Sequence, residues 1–250
     1  MNEKIEVLAE IINKSQNIVF FGGAGVSTES GIPDFRSPSG LYNVKMKVAS
    51  LTNTPYTAEE ILSHHFFMEH PDLFNDYYFN ALIYPDAQPN EAHKFLAELE
   101  QKGKLKAVIT QNIDGLHQAA GSSCVYELHG SIKRNYCMKC GAFYDEFALM
   151  EHKSICPKCG GRIKPDVVLY EEPLNEETIT KSVEAIMRAD CLIIGGTSLT
   201  VYPAAGFVRY FRGRYLVIIN RDHTNMDQYA TLFINDKIGE VFKSVRPLLK

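Results

Sequence analysis

Ile18-Val19-Phe20-Phe21-Gly22-Gly23-Ala24-Gly25-Val26-Ser27-Thr28 decides the fold. A continuous apolar run ended by a glycine cluster is the pattern of a strand buried on both faces that enters a tight turn. Before it, residues 3–15 carry Ile5, Leu8 and Ile12 on one helical face, with polar residues between. After it, the periods alternate: helix 90–101, strand 105–110, strand 124–128, strand 166–170, helix 175–188, strand 191–194 and strand 215–219. This alternation predicts an α/β protein, a Rossmann-like parallel sheet with helices on both faces.

Two stretches interrupt the alternation. Residues 37–80 read as a loop followed by a helical module rich in aromatics (Phe66, Phe67, Phe74, Tyr77, Tyr78), whose rings are expected to form its core. Residues 131–164 hold two cysteine pairs. The expected organisation is therefore a large domain of 1–36, 81–130 and 165–250. The helical module 37–80 and a zinc-ribbon module 131–164 form a small domain beside it.

Composition narrows the function. The 250 residues are 45% hydrophobic and 22% charged, with 26 Lys and Arg against 30 Asp and Glu, a net charge of −4. That excludes a disordered chain, a collagen-like fibre and a generally polybasic nucleic-acid binder. No apolar run approaches the ~18 residues of a membrane span. Met1-Asn2-Glu3-Lys4-Ile5-Glu6 has no basic segment leading into an apolar one, so a cytoplasmic location is expected.

Four of the six cysteines stand as Cys137-x2-Cys140 and Cys156-x2-Cys159. In a reducing compartment this spacing predicts a tetrahedral Zn²⁺ site, and four thiolates leave no position for water, so the metal is structural. Cys124 and Cys191 are expected to be small buried residues. Segment 131–164 carries seven Lys/Arg against Asp145, Glu146 and Glu151, so a zinc-ribbon nucleic-acid module is a rival reading. Salt-dependent DNA binding would favour it. The adjacent His64-His65 point about 100° apart on a helix and do not chelate one ion; they are expected at the surface.

Gly23-Ala24-Gly25-Val26-Ser27-Thr28 is a degenerate dinucleotide fingerprint, with Thr28 in place of the third glycine. Its glycines allow close approach to a pyrophosphate held at the N-terminus of the following helix. A nicotinamide dehydrogenase would add a second strand ending in an acidic residue about twenty positions on. The chain offers Lys45-Met46-Lys47-Val48-Ala49-Ser50 there. In place of that acid it has Gly31-Ile32-Pro33-Asp34-Phe35-Arg36, a carboxylate, a ring and a guanidinium together, which suits a dinucleotide cleaved at its nicotinamide end.

These stretches closely resemble the first signature of the sirtuins, the NAD-dependent protein deacylases. Gln111-Asn112-Ile113-Asp114-Gly115-Leu116-His117 resembles the second and His129-Gly130 the third. The cysteine pairs, Pro165-Asp166-Val167-Val168 and Gly196-Thr197-Ser198-Leu199 follow in family order. The resemblance covers nearly the whole chain and implies a bacterial-type, zinc-containing transferase with a cleft between its domains. NAD is consumed there as co-substrate: the acyl group of an acyl-lysine protein passes to ADP-ribose, releasing nicotinamide, O-acyl-ADP-ribose and free lysine.

The resemblance also implies roles. His129 is the general base, with a reference pKa of about 6.5 suited to the task, and it contacts the cofactor. Asn112 orients ribose and water; Asp114 and the Ile113 backbone anchor the nicotinamide carboxamide. Phe35 covers the nicotinamide pocket, while Ala24, Thr28, Arg36 and Gln111 contact the dinucleotide. Thr197 and Ser198 bind phosphate or ribose, Asn220 the adenine ribose, and Ile238 the adenine. An NAD-dependent protein ADP-ribosyltransferase on the same scaffold is the alternative, distinguished by its product. Residues 37–43 lack the Arg of family members that remove acidic acyl groups, which favours acetyl or apolar acyl chains. Family members place Gly-Glu where this chain has Glu171-Glu172, in a segment that pairs with the substrate backbone. With Glu176 and Glu177, these residues are expected to form an acidic rim favouring basic flanks, and Glu171 to hold an ordinary φ or bear strain.

Overall fold

The structure is a computed structural model, and it describes residues 2–35, 37, 40–41 and 56–250. The opening strand is β1 (Ile18–Gly22), buried along its full length. β2 (Leu105–Thr110) and β3 (Val125–Glu127) lie on one side of it. β7 (Cys191–Gly195), β8 (Tyr215–Ile219) and β9 (Leu232–Ile234) lie on the other. All five pairings are parallel. Across the sheet the order is β3-β2-β1-β7-β8-β9, the 3-2-1-4-5-6 arrangement of dinucleotide-binding folds once the strands of the small sheet are set aside. The order reverses between β1 and β7, so a crevice opens at their carboxyl ends.

Alternate residues of β1 face opposite layers, as the two-residue period of a strand requires. Ile18 and Phe20 pack with Leu8, Ile12, Phe95, Leu96 and Phe242, from α1 (Asn2–Lys14), α5 (Glu91–Gln101) and α9 (Ile238–Val245). Val19 and Phe21 pack with Ile186, Ala204 and Phe207, from α8 (Glu176–Arg188) and the 3-10 turn Ala204–Tyr210. Asn90 caps α5 by accepting from the Ala92 and His93 amides, and Asn175 caps α8. These two caps explain why the sequence-predicted starts fall within a residue.

A second core joins the two interruptions. The short helices α2 (Ala58–Ile61), α3 (His64–Glu69) and α4 (Pro71–Ala81) bring Phe66, Phe67, Phe74, Tyr77 and Tyr78 against Ile132, Cys137, Tyr144, Leu149, Ile163 and Val167. The latter come from β4 (Gly130–Cys137), β5 (Phe143–Tyr144), α7 (Glu146–Glu151) and β6 (Ile163–Val167), in sheet order β5-β4-β6. The remaining short helix, α6 (Leu116–Ala119), follows β2.

Two expectations are corrected. The strand expected at 166–170 lies at Ile163–Val167 and pairs antiparallel with β4, not with the parallel sheet. It is an edge strand, which is why Pro165 is tolerated in it. The helix expected after the glycine turn is replaced by two 3-10 turns, Ala24–Val26 and Thr28–Ser30. Gly31, with φ of 84°, ends the second turn, the Ser27 hydroxyl is drawn across to Asp114, and that of Thr28 bonds back to Gly25 O. The Arg36 assignment, residues 38–39 and 42–43 of the acyl-preference reading and the stretch 45–50 lie outside the described residues.

Candidate active site

The crevice begins where two glycine turns meet. Gly25 N donates to Gly196 O at 2.8 Å, and a Cβ on Gly25 would sit 2.8 Å from the Gly196 Cα. Only glycine permits that approach, so this glycine locks the β1 turn onto the β7 turn. Beyond the junction opens a cavity of about 540 Å³.

Its floor is a polar network. Ser27 Oγ donates to Asp114 Oδ2 at 2.6 Å and accepts from Asn112 Nδ2 at 3.0 Å. The other Asp114 oxygen accepts from Leu116 N at 2.9 Å, at the start of α6. Gln111 Nε2 reaches Thr197 Oγ1 at 3.0 Å, joining the ends of β2 and β7. His129 Nδ1 lies 3.0 Å from the Gln111 carbonyl. A carbonyl only accepts, so this bond places the ring proton on Nδ1 and leaves Nε2 as the acceptor. Burial pushes the His129 imidazole below its usual pKa, against the opposing pull of the Gln111 carbonyl. The ring is therefore neutral at pH 7 and able to take a proton.

Every sequence-predicted catalytic and cofactor-contacting residue in the described part of the chain lines this one cavity. Ala24, Thr28, Phe35, Gln111, Asn112, Ile113 and Asp114 do so, and so do His129, Thr197, Ser198, Asn220 and Ile238. Details differ from expectation. The Thr28 hydroxyl bonds to Gly25 O at 2.9 Å, and Ser198 bonds to Thr200. The Asn220 amide nitrogen braces Thr197 O and Asp222 O at 3.1 and 2.9 Å, so its oxygen is the group left for a ligand hydroxyl. Ile238 is buried at the first turn of α9, where Gly239 N donates to Glu29 Oε1 at 2.9 Å.

Ser27 carries no local signal of a role; its place between Asn112 and Asp114 appears only when residues 87 positions apart are brought together. Leu62, Ala81, Leu82 and Tyr84 also line the cavity. Leu62 comes from the helical module and Ala81, Leu82 and Tyr84 from the end of α4 and the segment after it, and no local pattern points to them. Asp34 holds Ser37 N at 2.9 Å and reaches Arg221 at 3.5 Å, bracing the loop beside Phe35.

Three carboxylates of the expected acidic rim have partners within the chain. Glu171 Oε2 accepts from His65 N at 2.9 Å, Glu172 is bonded to His64 and Lys164, and Glu177 pairs with Lys181. Glu171 has φ of 76°, so it bears the strained alternative. His64 is half-exposed and paired with Glu172, and His65 is exposed near Glu69, in keeping with the surface reading. Cys191 is buried as expected, whereas Cys124 is partly exposed.

At the far end of the small sheet, the Sγ atoms of Cys137, Cys140, Cys156 and Cys159 all lie within 4.8 Å of one another. Cys137–Cys159 is 3.5 Å and Cys140–Cys156 is 3.7 Å, close to the ~3.8 Å edge of a tetrahedron with Zn–S bonds of about 2.3 Å. The Tyr144 hydroxyl is 3.1 Å from Cys156 Sγ, an outer partner of the kind that orients a metal ligand. The donor set fits zinc.

The sequence model of the Sir2 family matches residues 23–203. An NAD-dependent protein deacetylase from Clostridium perfringens is 58% identical over 248 residues, covering 98% of this chain and 99% of the relative. Another, from Clostridium acetobutylicum, is 55% identical, covering 97% and 98%. Among solved structures, one described as Sir2 with a p53 peptide and NAD+ superposes with a TM-score of 0.83 at 36% identity, covering 97% of both chains. A second, concerned with the mechanism and regulation of Sir2 enzymes, gives 0.84 at 39%, covering 99% and 98%.

Proposed function

The chain belongs to the Sir2 family, and from that premise we propose that it acts as an NAD-dependent protein deacetylase on acyl-lysine side chains. The observation that carries this reading is His129, neutral and with Nδ1 held by the Gln111 carbonyl, in one cavity with the Ser27–Asn112–Asp114 network.

The cavity suits a dinucleotide, since two closely packed glycine turns border it at the reversal of strand order. When bound, NAD supplies the acceptor ribose and a nicotinamide leaving group. The chain's own residues do the rest. Asp114 and the Ile113 backbone orient the carboxamide, with Ser27 fixing the Asp114 carboxylate. Asn112, tied to the same hydroxyl, positions a ribose hydroxyl or water. Phe35 closes the pocket and excludes water. His129 Nε2 takes a proton from a hydroxyl presented to it and returns it to the departing lysine side. Thr197, Ser198 and the Asn220 oxygen hold the remaining phosphates and ribose, Ala24, Thr28, Gln111 and Arg36 contact the dinucleotide, and Ile238 covers the adenine.

Zinc in the four-cysteine site holds the small module together and supplies no chemistry. Residues 1–36, 81–130 and 165–250 form the NAD-binding domain; 37–80 and 131–164 form the small domain. No helix among the described residues is long and apolar enough to cross a membrane, and the composition and cysteine usage support a cytoplasmic site of action.

Release of labelled nicotinamide from NAD tests the reading. It is expected to require an acetyl-lysine peptide and to match deacetylated peptide one for one. Release that ignores the peptide, or peptide that gains the mass of ADP-ribose, would favour a glycohydrolase or an ADP-ribosyltransferase.

A further inference from the structure

His129 stands at the seam between the two sheets, where Glu127 ends β3 of the large sheet and Gly130 opens β4 of the small one. Backbone bonds hold the seam on both sides. Leu128 N donates to Thr110 O at 2.9 Å, and Val168 N donates to His129 O at 3.0 Å. A Cβ on Gly130 would sit 1.9 Å from Asp166 O, so β4 starts in direct backbone contact with β6.

Behind the seam lies a charged brace. Arg134 Nη1 donates to Glu127 Oε2 and its Nε to Asp166 Oδ2, each at 2.7 Å. The guanidinium reaches both because β4 bulges. Its pairing with β6 jumps from Ser131–Asp166 to Asn135–Pro165, leaving Ile132, Lys133 and Arg134 without partners on that strand. Such a bulge re-aims the side chains it carries. Within it, Ile132 N donates to Ile113 O at 3.0 Å. The Glu127 side chain is only 7% exposed, and Arg134 is its one cation among the described residues. Removing that partner would strand a buried negative charge. Glu127, Arg134 and Asp166 do not line the cavity, so the brace acts on the reaction through His129.

We propose that Arg134 is a positioning residue for His129. One guanidinium holds Glu127, just before the base in the chain, and Asp166, just before the Val168 amide that bonds the His129 carbonyl. It thereby fixes the seam and the place of His129 Nε2. This rests on the deacetylase reading of the cavity, in which His129 is the base. A lysine would carry the same charge without the planar fork that spans two carboxylates at once.

The experiment compares Arg134→Met, Arg134→Lys and the double variant Arg134→Met with Glu127→Gln by kcat, KM for NAD and acetyl-lysine peptide, and melting temperature. In ligand-free protein, the magnetic-resonance signal of the His129 Nδ1–H, assigned by its loss in His129→Ala, reports on the ring directly. Misplacing a reacting group by about 1 Å costs up to about 100-fold in rate. Arg134→Met is therefore expected to lower both kcat and melting temperature. The double variant leaves no stranded charge, so its melting temperature is expected to return toward wild type. Its kcat is expected to stay about tenfold or more below wild type. Arg134→Lys is expected to melt near wild type and keep a several-fold kcat defect. Both KM values are expected to stay within about twofold, and the Nδ1–H to exchange faster with water in all three. A kcat that recovers with melting temperature in the double variant would overturn the proposal. So would wild-type kcat in Arg134→Lys, an unchanged Nδ1–H signal, or KM values that rise as kcat falls. A wild-type protein that forms no deacetylated product, yet whose Nδ1–H signal depends on Arg134, would overturn the deacetylase reading and leave the brace standing.

Discussion

A histidine serves as a base only while one ring nitrogen is free of a proton. At residue 129 that condition is met by a neighbour's backbone, the Gln111 carbonyl, and by burial that disfavours the cation. Since burial holds the pKa below the ordinary histidine value, the acid limb of kcat/KM is expected to fall below pH 6.5. His129→Ala is expected to lose about 100-fold or more in deacetylation while binding NAD within a few fold, because Ser27 and the Leu116 amide hold Asp114, and Gln111 and Thr197 hold each other, without it. A variant with near-normal turnover, or an acid limb above pH 7, would contradict the base assignment. At this scale the sequence was legible wherever short motifs carried the chemistry. It was mute on Ser27, whose significance depends on Asn112 and Asp114 meeting the same hydroxyl.

The elements divide along the same line. Strands buried on both faces and capped helices announced themselves, because apolar runs and Asn caps are local signals. The 3-10 turns after β1 and the antiparallel pairing of β6 did not, because both are decided by partners distant in sequence. The zinc cluster lies between, with spacing readable from sequence and closure visible only in the fold. Its four thiols join β4 and the 156–159 loop, and Cys137 and Cys156 belong to the same core as Phe67 and Tyr78. Removing the metal with a chelator is therefore expected to lower the melting temperature and expose the small-module aromatics, with activity lost only as structure is lost. Full activity and unchanged melting in metal-free protein would contradict a structural zinc.

For the molecule as a whole, acid is the expected weakness. Burial lowers the pKa of His93 to about 4 and also lowers those of His117 and His129. The unfolded chain binds protons these rings refuse, so stability is expected to fall as pH drops below about 6.5 and to keep falling toward 4. His117 stacks edge-on with His93 at 4.7 Å, and neither ring nitrogen has a hydrogen-bond partner among the described residues. His117→Leu is therefore expected to be at least as stable at pH 7, by up to about 1 kcal/mol, and to show a shallower acid loss in urea titrations at pH 7 and 5. A less stable variant with the wild-type pH dependence would contradict this. The parallel sheet, the two insertions and the cavity that gathers residues 24 to 238 all support one reaction, transfer of an acyl group from lysine to the ribose of NAD. Mass analysis of the small-molecule product tests it most directly. With NAD and an acetyl-lysine peptide, the account predicts O-acetyl-ADP-ribose in amounts equal to free-lysine peptide; free ADP-ribose with acetate, or ADP-ribose attached to protein, would contradict it.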